Sequence, residues 1–269
     1  MKNLSLGKIV EYPSHYTPEV LQAVPRSIGR KNISLNSPLP FTGVDIWNAY
    51  EVSWLNTKGK PMVAIVECTI PIDSPNLIES KSFKLYLNSL NQSKFETTAL
   101  LLKTMERDLS NCAGAPVGLK FIHSSDFDTL SFGKLEGNLI DELDISVSET
   151  DIDPNFLHTN DTDCEESLVS HLLKSNCLIT NQPDWGSVLI RYAGKQINHE
   201  GLLRYIISFR QHNEFHEQCV ERIFKDIMQQ CKPSKLTVYA RYTRRGGLDI
   251  NPFRSNFELP YSNARLARQ

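Results

Sequence analysis

The stretch NSLNQSKFETT at residues 88–98 and the stretch SFRQHNEFHEQ at residues 208–218 decide the fold that we expect for this chain. At a displacement of 120 residues they align Phe95 with Phe215, and the same displacement places Glu79 beside His199. Each stretch joins two helical patterns, in which apolar residues recur at spacings of three and four. The predicted helices cover 81–90, 94–112, 200–211 and 214–231.

Strands are predicted on both sides of these helices, because the flanking stretches are rich in β-branched and aromatic residues. They cover 43–54, 62–72, 116–123, 187–192 and 236–243. The order of strands, paired helices and a further strand therefore recurs in the two halves. This recurrence indicates an internal duplication.

Length and composition exclude several classes of protein. The 269 residues lie just short of two domains at about 150 residues per domain. Lys and Arg number 29 and Asp and Glu 31, and this net charge of −2 argues against a general nucleic-acid binder. No apolar run approaches the ~20 residues that span a bilayer, and the first residues lack a secretory signal. The six cysteines form no CxxC pair, so we expect reduced thiols in a cytoplasmic protein without a zinc ribbon.

Charge is unevenly distributed along the chain. Residues 135–173 contain eleven acidic residues and no Lys or Arg, which predicts an extended, solvated connector because like charges repel. Beyond residue 234, seven basic residues outweigh two acidic ones. We therefore predict an N-terminal domain at 1–134 and a second domain at 135–269 that includes the acidic connector.

Cys177 and Asp184 form the first candidate for chemistry. Cys177 lies in a polar stretch, and Asp184 follows seven residues later, beyond a proline turn. A thiolate attacks electrophilic carbon, and a nearby carboxylic acid can protonate what the attack generates. A packing cysteine followed by a surface turn is the other interpretation, since the sequence does not show the microenvironment that makes a cysteine reactive.

The segment HNEFHEQC, which begins at His212, supports three interpretations. If the segment is helical, His212, His216 and Cys219 share a face and are able to ligate a metal. Glu217 is instead able to accept hydrogen bonds from a purine-like edge. The third interpretation, which the sequence alone favours, is a polar segment capped at Asn213.

Two further segments carry charge and hydroxyl groups. ESKSFKLYLNS at residues 79–89 has the pattern of a helix start. Arg244-Arg245-Gly246-Gly247 either holds a phosphate through guanidinium groups and close backbone approach or forms a charged turn. The glycine-rich phosphate-binding signatures GxGxxG and GxxxxGK[ST] are both missing.

Together these segments resemble the NADPH-dependent 7-cyano-7-deazaguanine reductases, the nitrile reductases of queuosine biosynthesis. ESKSFKLYLNS looks like the signature of that family, and the resemblance covers essentially the whole chain. Its other motifs are matched, in the order of the two-unit form, by Cys177, Asp184, His216-Glu217 and Arg245-Gly246.

The resemblance implies a fold and an assembly. The expected fold is α+β, with two tandem tunnelling-fold units, each an antiparallel four-stranded sheet with two helices packed on one face. The first strand of the second unit is expected around Cys177. The expected assembly is a homodimer without a nucleic-acid or membrane partner.

The resemblance also implies a reaction. Cys177 is expected to add to the nitrile carbon and form a covalent thioimide, while Asp184 protonates the nitrile nitrogen. Two molecules of NADPH then supply the hydrides that lead through an imine to the aminomethyl product.

Binding residues follow from the same resemblance. The pocket for the deazaguanine base is expected to use Ile78, Glu79, Ser80, His216 and Glu217. NADPH is expected to be held by residues of both units, namely Ser80 and Lys81 from the first and Arg245 and Gly246 from the second.

Two other functions compete with this one. The first is a zinc-dependent pterin or purine enzyme of the same fold that uses His212, His216 and Cys219, whereas the reductase needs no metal. The second is a non-catalytic RNA-interaction module that uses the basic stretch after residue 234. A separate hypothesis is a protective disulfide between Cys177 and Cys219 under oxidation.

Overall fold

The computed structural model describes residues 12–148 and 151–269 and divides them into two compact units. Unit 1 is formed by the segment that ends at Gly29, by Asp45–Ser131 and by Arg244–Ile250. Unit 2 is formed by Arg30–Val44, Phe132–Thr243 and Asn251–Gln269. Neither unit is therefore one continuous stretch of chain, and the domain boundary between 134 and 135 stays a prediction.

Strands and helices alternate in a similar order in the two halves of the chain. The strands in the described residues are β1 (Ala23–Pro25), β2 (Thr42–Leu55), β3 (Pro61–Pro71), β4 (Asn76–Ile78), β5 (Gly118–His123), β6 (Asn138–Leu139), β7 (Thr159–Ser170), β8 (Lys174–Asn176), β9 (Pro183–Ile197), β10 (Lys235–Tyr242) and β11 (Leu248–Ser255). The α-helices are α1 (Arg26–Asn32), α2 (Ser80–Ser89), α3 (Thr98–Ala113), α4 (His199–Ser208) and α5 (His216–Gln230). Among these, no helix is long and apolar enough to cross a membrane.

Unit 1 is built on the neighbouring strands β5, β3 and β2. β3 and β5 are antiparallel, with Ala64 opposite His123, and β1 pairs antiparallel with β4 just before α2. One apolar cluster joins the sheet to both helices, because Trp47 and Val66 of the sheet lie in the same core as Phe83 of α2 and Met105 of α3. This is the predicted arrangement of two helices on one face of an antiparallel sheet.

Unit 2 repeats this arrangement around β9. β9 pairs antiparallel with β7, β8 and β10, and β10 pairs antiparallel with β11. α5 lies against β10, and the apolar residues of α4 and α5 are buried. The predicted α+β class with antiparallel sheets is therefore confirmed for both units.

The helix starts correct the alignment of the two halves. The side chain of Glu79 caps α2 by accepting hydrogen bonds from two backbone N–H groups, and the side chain of Asn198 caps α4 by accepting one, from Gly201. These caps are 119 residues apart, so Glu79 corresponds to Asn198, and the predicted pairing of Glu79 with His199 is wrong by one residue.

A buried tyrosine–carboxylate pair connects the two helices of each unit. Tyr86 donates a hydrogen bond to Asp108 in unit 1, and Tyr205 donates one to Asp226 in unit 2, at 2.8 and 2.7 Å. Burial raises the pKa of the Asp226 carboxyl, and the bond from Tyr205 opposes that rise. The same device at matching positions of both units supports the predicted duplication.

The acidic connector is the part of the fold that the sequence misjudged. The twelve-residue strand β7 lies within it, together with the short strand β6 that pairs with β7, so the sheet of unit 2 begins before the region of Cys177. Across the ladder from β9, Lys195 Nζ lies 3.1 Å from Asp163 Oδ2 and Arg191 Nη2 lies 3.2 Å from Glu165 Oε1. Part of the acidic charge is therefore neutralised by a strand that is distant in sequence. β11 was also not predicted.

We predict that Tyr205→Phe lowers the free energy of unfolding by about 1–3 kcal/mol, because the substitution leaves the buried Asp226 carboxylate without its donor. Urea denaturation followed by circular dichroism measures the effect. Tyr12→Phe is the matched control, since Tyr12 is two-thirds exposed and should change the midpoint little. Equal midpoints for the two variants would contradict the prediction.

Candidate active site

Cys177 stands at the entrance of a hairpin turn in unit 2. β8 ends at Asn176, which lies opposite Pro183, and Ser175 lies opposite Asp184. The backbone N–H of Cys177 donates to the carbonyl of Gln182 at 2.8 Å and closes the turn. The hairpin therefore brings Cys177 and Asp184 to the same end of one two-stranded ladder, although seven positions separate them in sequence.

Unit 1 contains the counterpart of this turn between β2 and β3. There the N–H of Asn56 donates to the carbonyl of Lys60 at 3.0 Å, and Gly59 takes the left-handed conformation with φ 80°. In unit 2, Asn181 takes the left-handed position with φ 61°. The turn of unit 2 is one residue longer, and Cys177 occupies the place of Asn56.

A loop from the start of α5 holds the cysteine turn in place. The N–H of Asn176 donates to the carbonyl of His212 at 2.7 Å, and the N–H of Glu214 donates to the carbonyl of Asn176 at 3.2 Å. Between these bonds, Asn213 Nδ2 donates to the carbonyl of Cys177 at 3.2 Å and to Asn181 Oδ1 at 2.5 Å. Asn213 therefore connects both ends of the turn that carries the cysteine.

The loop is in turn anchored by a buried ionic cluster. Glu214 is 3% exposed, and its carboxylate accepts hydrogen bonds from Arg222 at 3.0 Å and Gln218 at 2.9 Å, while His212 Nε2 lies 3.1 Å away. Burial by itself would raise the pKa of Glu214, but the bonds from His212 and Arg222 lower it below its usual value. The carboxylate is thus held in its charged form.

This cluster overturns two interpretations of the HNEFHEQC segment. α5 begins at His216 with Phe215 as its N-cap residue, so Asn213 is not a helix cap and His212 lies outside the helix. His212 faces Glu214, and His216 faces Asp184. In the described part of the chain no group of three or more His, Cys, Asp or Glu side chains is arranged to hold a metal.

Asp184 and His216 face each other in a largely buried site. Asp184 is 4% exposed, and its Oδ1 atom lies 3.5 Å from Nε2 of His216. The His216 ring packs edge-on against Tyr242, with centroids 4.3 Å apart. Burial, together with the nearby Cys219 and Asp184, raises the pKa of Tyr242 well above its usual value, so Tyr242 stays neutral. Glu217, the next residue of α5, is also buried.

The two cysteines of the disulfide hypothesis differ in their surroundings. Cys177 and Cys219 are both free thiols in the structure. Cys219 is fully buried, and that burial, with the negative charge of Glu214 nearby, raises the pKa of its thiol. The proposed disulfide between them stays a prediction.

The first predicted binding motif lies at the start of α2 in unit 1. Ile78 ends β4 and is buried, and Ser80 and Lys81 begin the helix. The Glu79 carboxylate is 1% exposed and accepts hydrogen bonds from the N–H groups of Lys81 at 2.8 Å and Ser82 at 2.7 Å. A carboxylate has further lone pairs, so this capping role leaves acceptor capacity for a ligand.

The second predicted binding motif is a tight turn between β10 and β11. The N–H of Arg245 donates to the carbonyl of Leu248 at 2.8 Å, and Gly246 and Gly247 have φ values of 58° and 78°. Gly246 packs so closely on α2 that an added Cβ would lie 3.0 Å from Cε of Lys84.

This packing corrects the assignment of Arg245 and Gly246 to the second unit. By their contacts they belong to unit 1, together with Ser80 and Lys81. The turn reverses the chain from β10 into β11, and both of its glycines adopt a left-handed conformation that other residues rarely take.

Sequence reasoning missed Asn213 and the cluster around Glu214. The sequence marks Asn213 only as a helix cap. It does not show that the loop before α5 pairs with the strand before Cys177. The only available signal was the equivalence with unit 1, where Leu55 makes the same bridge with Lys94.

Comparisons with known proteins give the family. Residues 12–121 match the family described as nitrile reductase, 7-cyano-7-deazaguanine-reductase N-term, and residues 183–260 match that of the QueF-like proteins. Among solved structures, the archaeosine synthase QueF-Like in the apo form covers 38% of this chain and 99% of its own, at 14% identity and a TM-score of 0.32. That likeness is too weak to support a conclusion.

A curated relative covers both chains almost completely. The NADPH-dependent 7-cyano-7-deazaguanine reductase of Bordetella parapertussis is 55% identical over 271 residues, which include 100% of this chain and 99% of the relative. Identity of this degree over the full length confirms the resemblance that the motifs predicted. The chain therefore belongs to the family of the NADPH-dependent 7-cyano-7-deazaguanine reductases.

Proposed function

We propose that this chain reduces the nitrile of 7-cyano-7-deazaguanine to an aminomethyl group with two molecules of NADPH, in queuosine biosynthesis. The hairpin that brings Cys177 and Asp184 to the same end of one ladder carries this proposal. The name of the 55% identical relative supports the substrate and the cofactor. The predicted enzyme class, an NADPH-dependent nitrile oxidoreductase, is confirmed at the level of the family.

Cys177 is the proposed nucleophile. Its sulfur adds to the nitrile carbon, one C–N π bond opens, and the nitrogen takes a proton from Asp184 to give a covalent thioimide. The transfer leaves a negative charge on Asp184. His216, whose Nε2 atom lies 3.5 Å from the Asp184 carboxylate, stabilises that charge. The buried position of Asp184 keeps water from competing for the proton.

Two hydride additions complete the proposed reaction. The first hydride adds to the thioimide carbon, and the C–S bond breaks to release the Cys177 thiolate and a neutral imine. The second hydride and a proton convert the imine to the amine. NADPH supplies both hydrides, and the protein supplies orientation and a dry site.

Two buried glutamates are the proposed acceptors for the ring N–H groups of the substrate. Glu79 is fixed by its own helix, and Glu217 lies in the first turn of α5. Their charges match a base edge that presents donors. We propose that Ile78, Ser80 and His216 complete the pocket for the base.

The residues proposed to hold NADPH fit a phosphorylated ligand. Ser80 and Lys81 provide a hydroxyl and a positive charge at the start of α2, and the Arg245–Gly246 turn provides a guanidinium group and exposed backbone against the same helix. Fixed cations and backbone N–H groups are the usual partners of phosphate.

The proposed enzyme is a cytoplasmic homodimer without a nucleic-acid or membrane partner. The net charge of −2 supports the absence of a nucleic-acid partner. Analytical ultracentrifugation distinguishes a dimer from a monomer of 30.6 kDa.

The zinc enzyme and the RNA-interaction module are less favoured, because His212, His216 and Cys219 have separate partners and the full-length relative is a reductase.

We predict that Cys177→Ala abolishes NADPH oxidation in the presence of 7-cyano-7-deazaguanine, because no sulfur remains to capture the nitrile. Intact mass spectrometry should also lose the adduct of protein and substrate. Cys112→Ala is the control, since Cys112 lies on α3 in unit 1 and should leave both signals unchanged. If Cys177→Ala still oxidised NADPH and still formed the adduct, Cys177 would not be the nucleophile.

We predict that Asp184→Asn slows turnover by about 10²–10⁴-fold, because an amide cannot protonate the nitrile nitrogen. The affinity for the substrate, measured by calorimetry without NADPH, should change little. Unchanged turnover would remove Asp184 from the acid role.

We predict that Asn213→Asp lowers kcat by about 10–100-fold with little change in KM, because a carboxylate cannot donate to the Cys177 carbonyl and the sulfur loses its position. Adduct formation, followed by stopped-flow or quenched mass spectrometry, should slow by the same factor. Asn160→Asp is the control, since Asn160 is exposed and its side chain bonds to Gln196 and to the N–H of Thr162, outside the cysteine turn. Identical adduct rates in the two variants would contradict a positioning role for Asn213.

A further inference from the structure

Unit 2 contains a cavity of about 730 Å³ on the sheet face away from the cysteine turn. Ser167 of β7, Leu189 and Arg191 of β9, and Tyr239 and Arg241 of β10 form its floor. Alternation along a strand places Arg241 on the opposite face from its neighbour Tyr242, which packs against His216. The cavity is therefore distinct from the candidate active site.

The walls of the cavity are built by two segments that are joined to each other. Residues 132–136 form one wall and residues 261–266 the other. The N–H of Gly133 donates to the carbonyl of Arg265 at 2.8 Å, and Gly133 packs so closely that an added Cβ would lie 2.4 Å from Cβ of Ala264. The volume lies in the range of about 300–1,000 Å³ that is typical of small-molecule sites.

Arg241 carries an unsatisfied charge in this cavity. Its side chain is 2% exposed, and its hydrogen bonds go to the neutral oxygens of Gln269, Tyr239 and Asn263 at 2.7, 2.5 and 2.8 Å. Within the described residues, Nη2 of Arg241 has no hydrogen-bond partner. Burying a guanidinium without a counter-charge costs free energy. An anion that enters the cavity would therefore neutralise this charge and accept a hydrogen bond from Nη2.

The other charges around the cavity are already compensated. Arg191 lies 3.2 Å from Glu165 and 3.0 Å from Glu258, and Lys134 lies 3.2 Å from Glu136. Among the described residues that line the cavity, Arg241 is therefore the cation without an ion pair. Two aromatic rings also line the cavity. Tyr239 and Tyr261 pack edge to face there, with ring centroids 6.0 Å apart.

We propose that this cavity binds a small molecule that joins a carboxylate or phosphate group to an apolar or aromatic body. The oxyanion accepts hydrogen bonds from Arg241, and the body packs against Tyr239, Tyr261 and Leu266. The site is independent of the cysteine chemistry, and nothing in the proposed reaction uses it.

Isothermal titration calorimetry of the full chain in a phosphate-free buffer tests the proposal. The probes are benzoate, phenyl phosphate and inorganic phosphate, with benzamide as the neutral control. We expect an anionic probe to bind and benzamide to bind at least about tenfold more weakly, because the amide brings no charge to Arg241. The comparison of benzoate with the two phosphates identifies the oxyanion.

Three variants separate the possible outcomes. Arg241→Gln removes the charge, and Ser262→Trp fills the cavity from an exposed position while Arg241 remains. Both should weaken binding at least about tenfold, and circular dichroism should show that Ser262→Trp is folded. Arg245→Gln, in the proposed NADPH turn, should leave binding unchanged.

Three results would overturn the proposal. The first is that none of the probes binds the wild-type chain. The second is that an anion binds Ser262→Trp as tightly as it binds the wild type. The third is that binding is lost in Arg245→Gln but kept in Arg241→Gln, which would place the anion in the NADPH turn.

Discussion

The bridge between Asn176 and the loop before α5 is the interaction on which the candidate site depends. Two backbone hydrogen bonds, to the carbonyl of His212 and from the N–H of Glu214, fix the end of β8 against the start of a helix. Buried backbone N–H and C=O groups need hydrogen-bond partners, so these bonds set the course of the backbone that leads into Cys177. The Asn213 amide then restricts the turn that carries Cys177, and the Glu214–Arg222 pair holds the loop that contains Asn213.

The same bridge is present in unit 1, where Leu55 bonds to Ser93 and Phe95, but there it supports a simple turn. A duplicated scaffold has thus been kept in both halves, together with the paired bonds of Tyr86 and Tyr205 to their carboxylates. The halves differ at the hairpin, where unit 2 has one extra residue and a cysteine in place of Asn56, and the proposed chemistry depends on this difference. Both units therefore share the stabilising tyrosine–carboxylate pair, whereas the proposed nucleophile and acid both lie in unit 2.

The sequence predicted the helices well because their apolar spacing and their caps are local. Asn198 caps α4 and Thr97 caps α3, and each side chain accepts a hydrogen bond from the backbone N–H three residues further on. It failed on β7, because the repulsion among acidic residues is relieved by Lys195 and Arg191 of another strand. The alignment at 120 residues failed for a related reason, since the true register follows the helix caps and not the match of Phe95 with Phe215.

The sequence by itself determined the family, the two-unit α+β architecture and the candidate residues, because each of these rests on residue types at short, fixed spacings. Only the tertiary structure decided which residues meet. It paired Asp184 with His216 and connected Asn213 to the cysteine turn. It also placed Arg245 and Gly246 in unit 1, and it left the buried guanidinium of Arg241 facing a cavity without a counter-charge. These contacts join strands and loops tens of residues apart, and hydrogen-bond direction and burial exist only once those segments are packed.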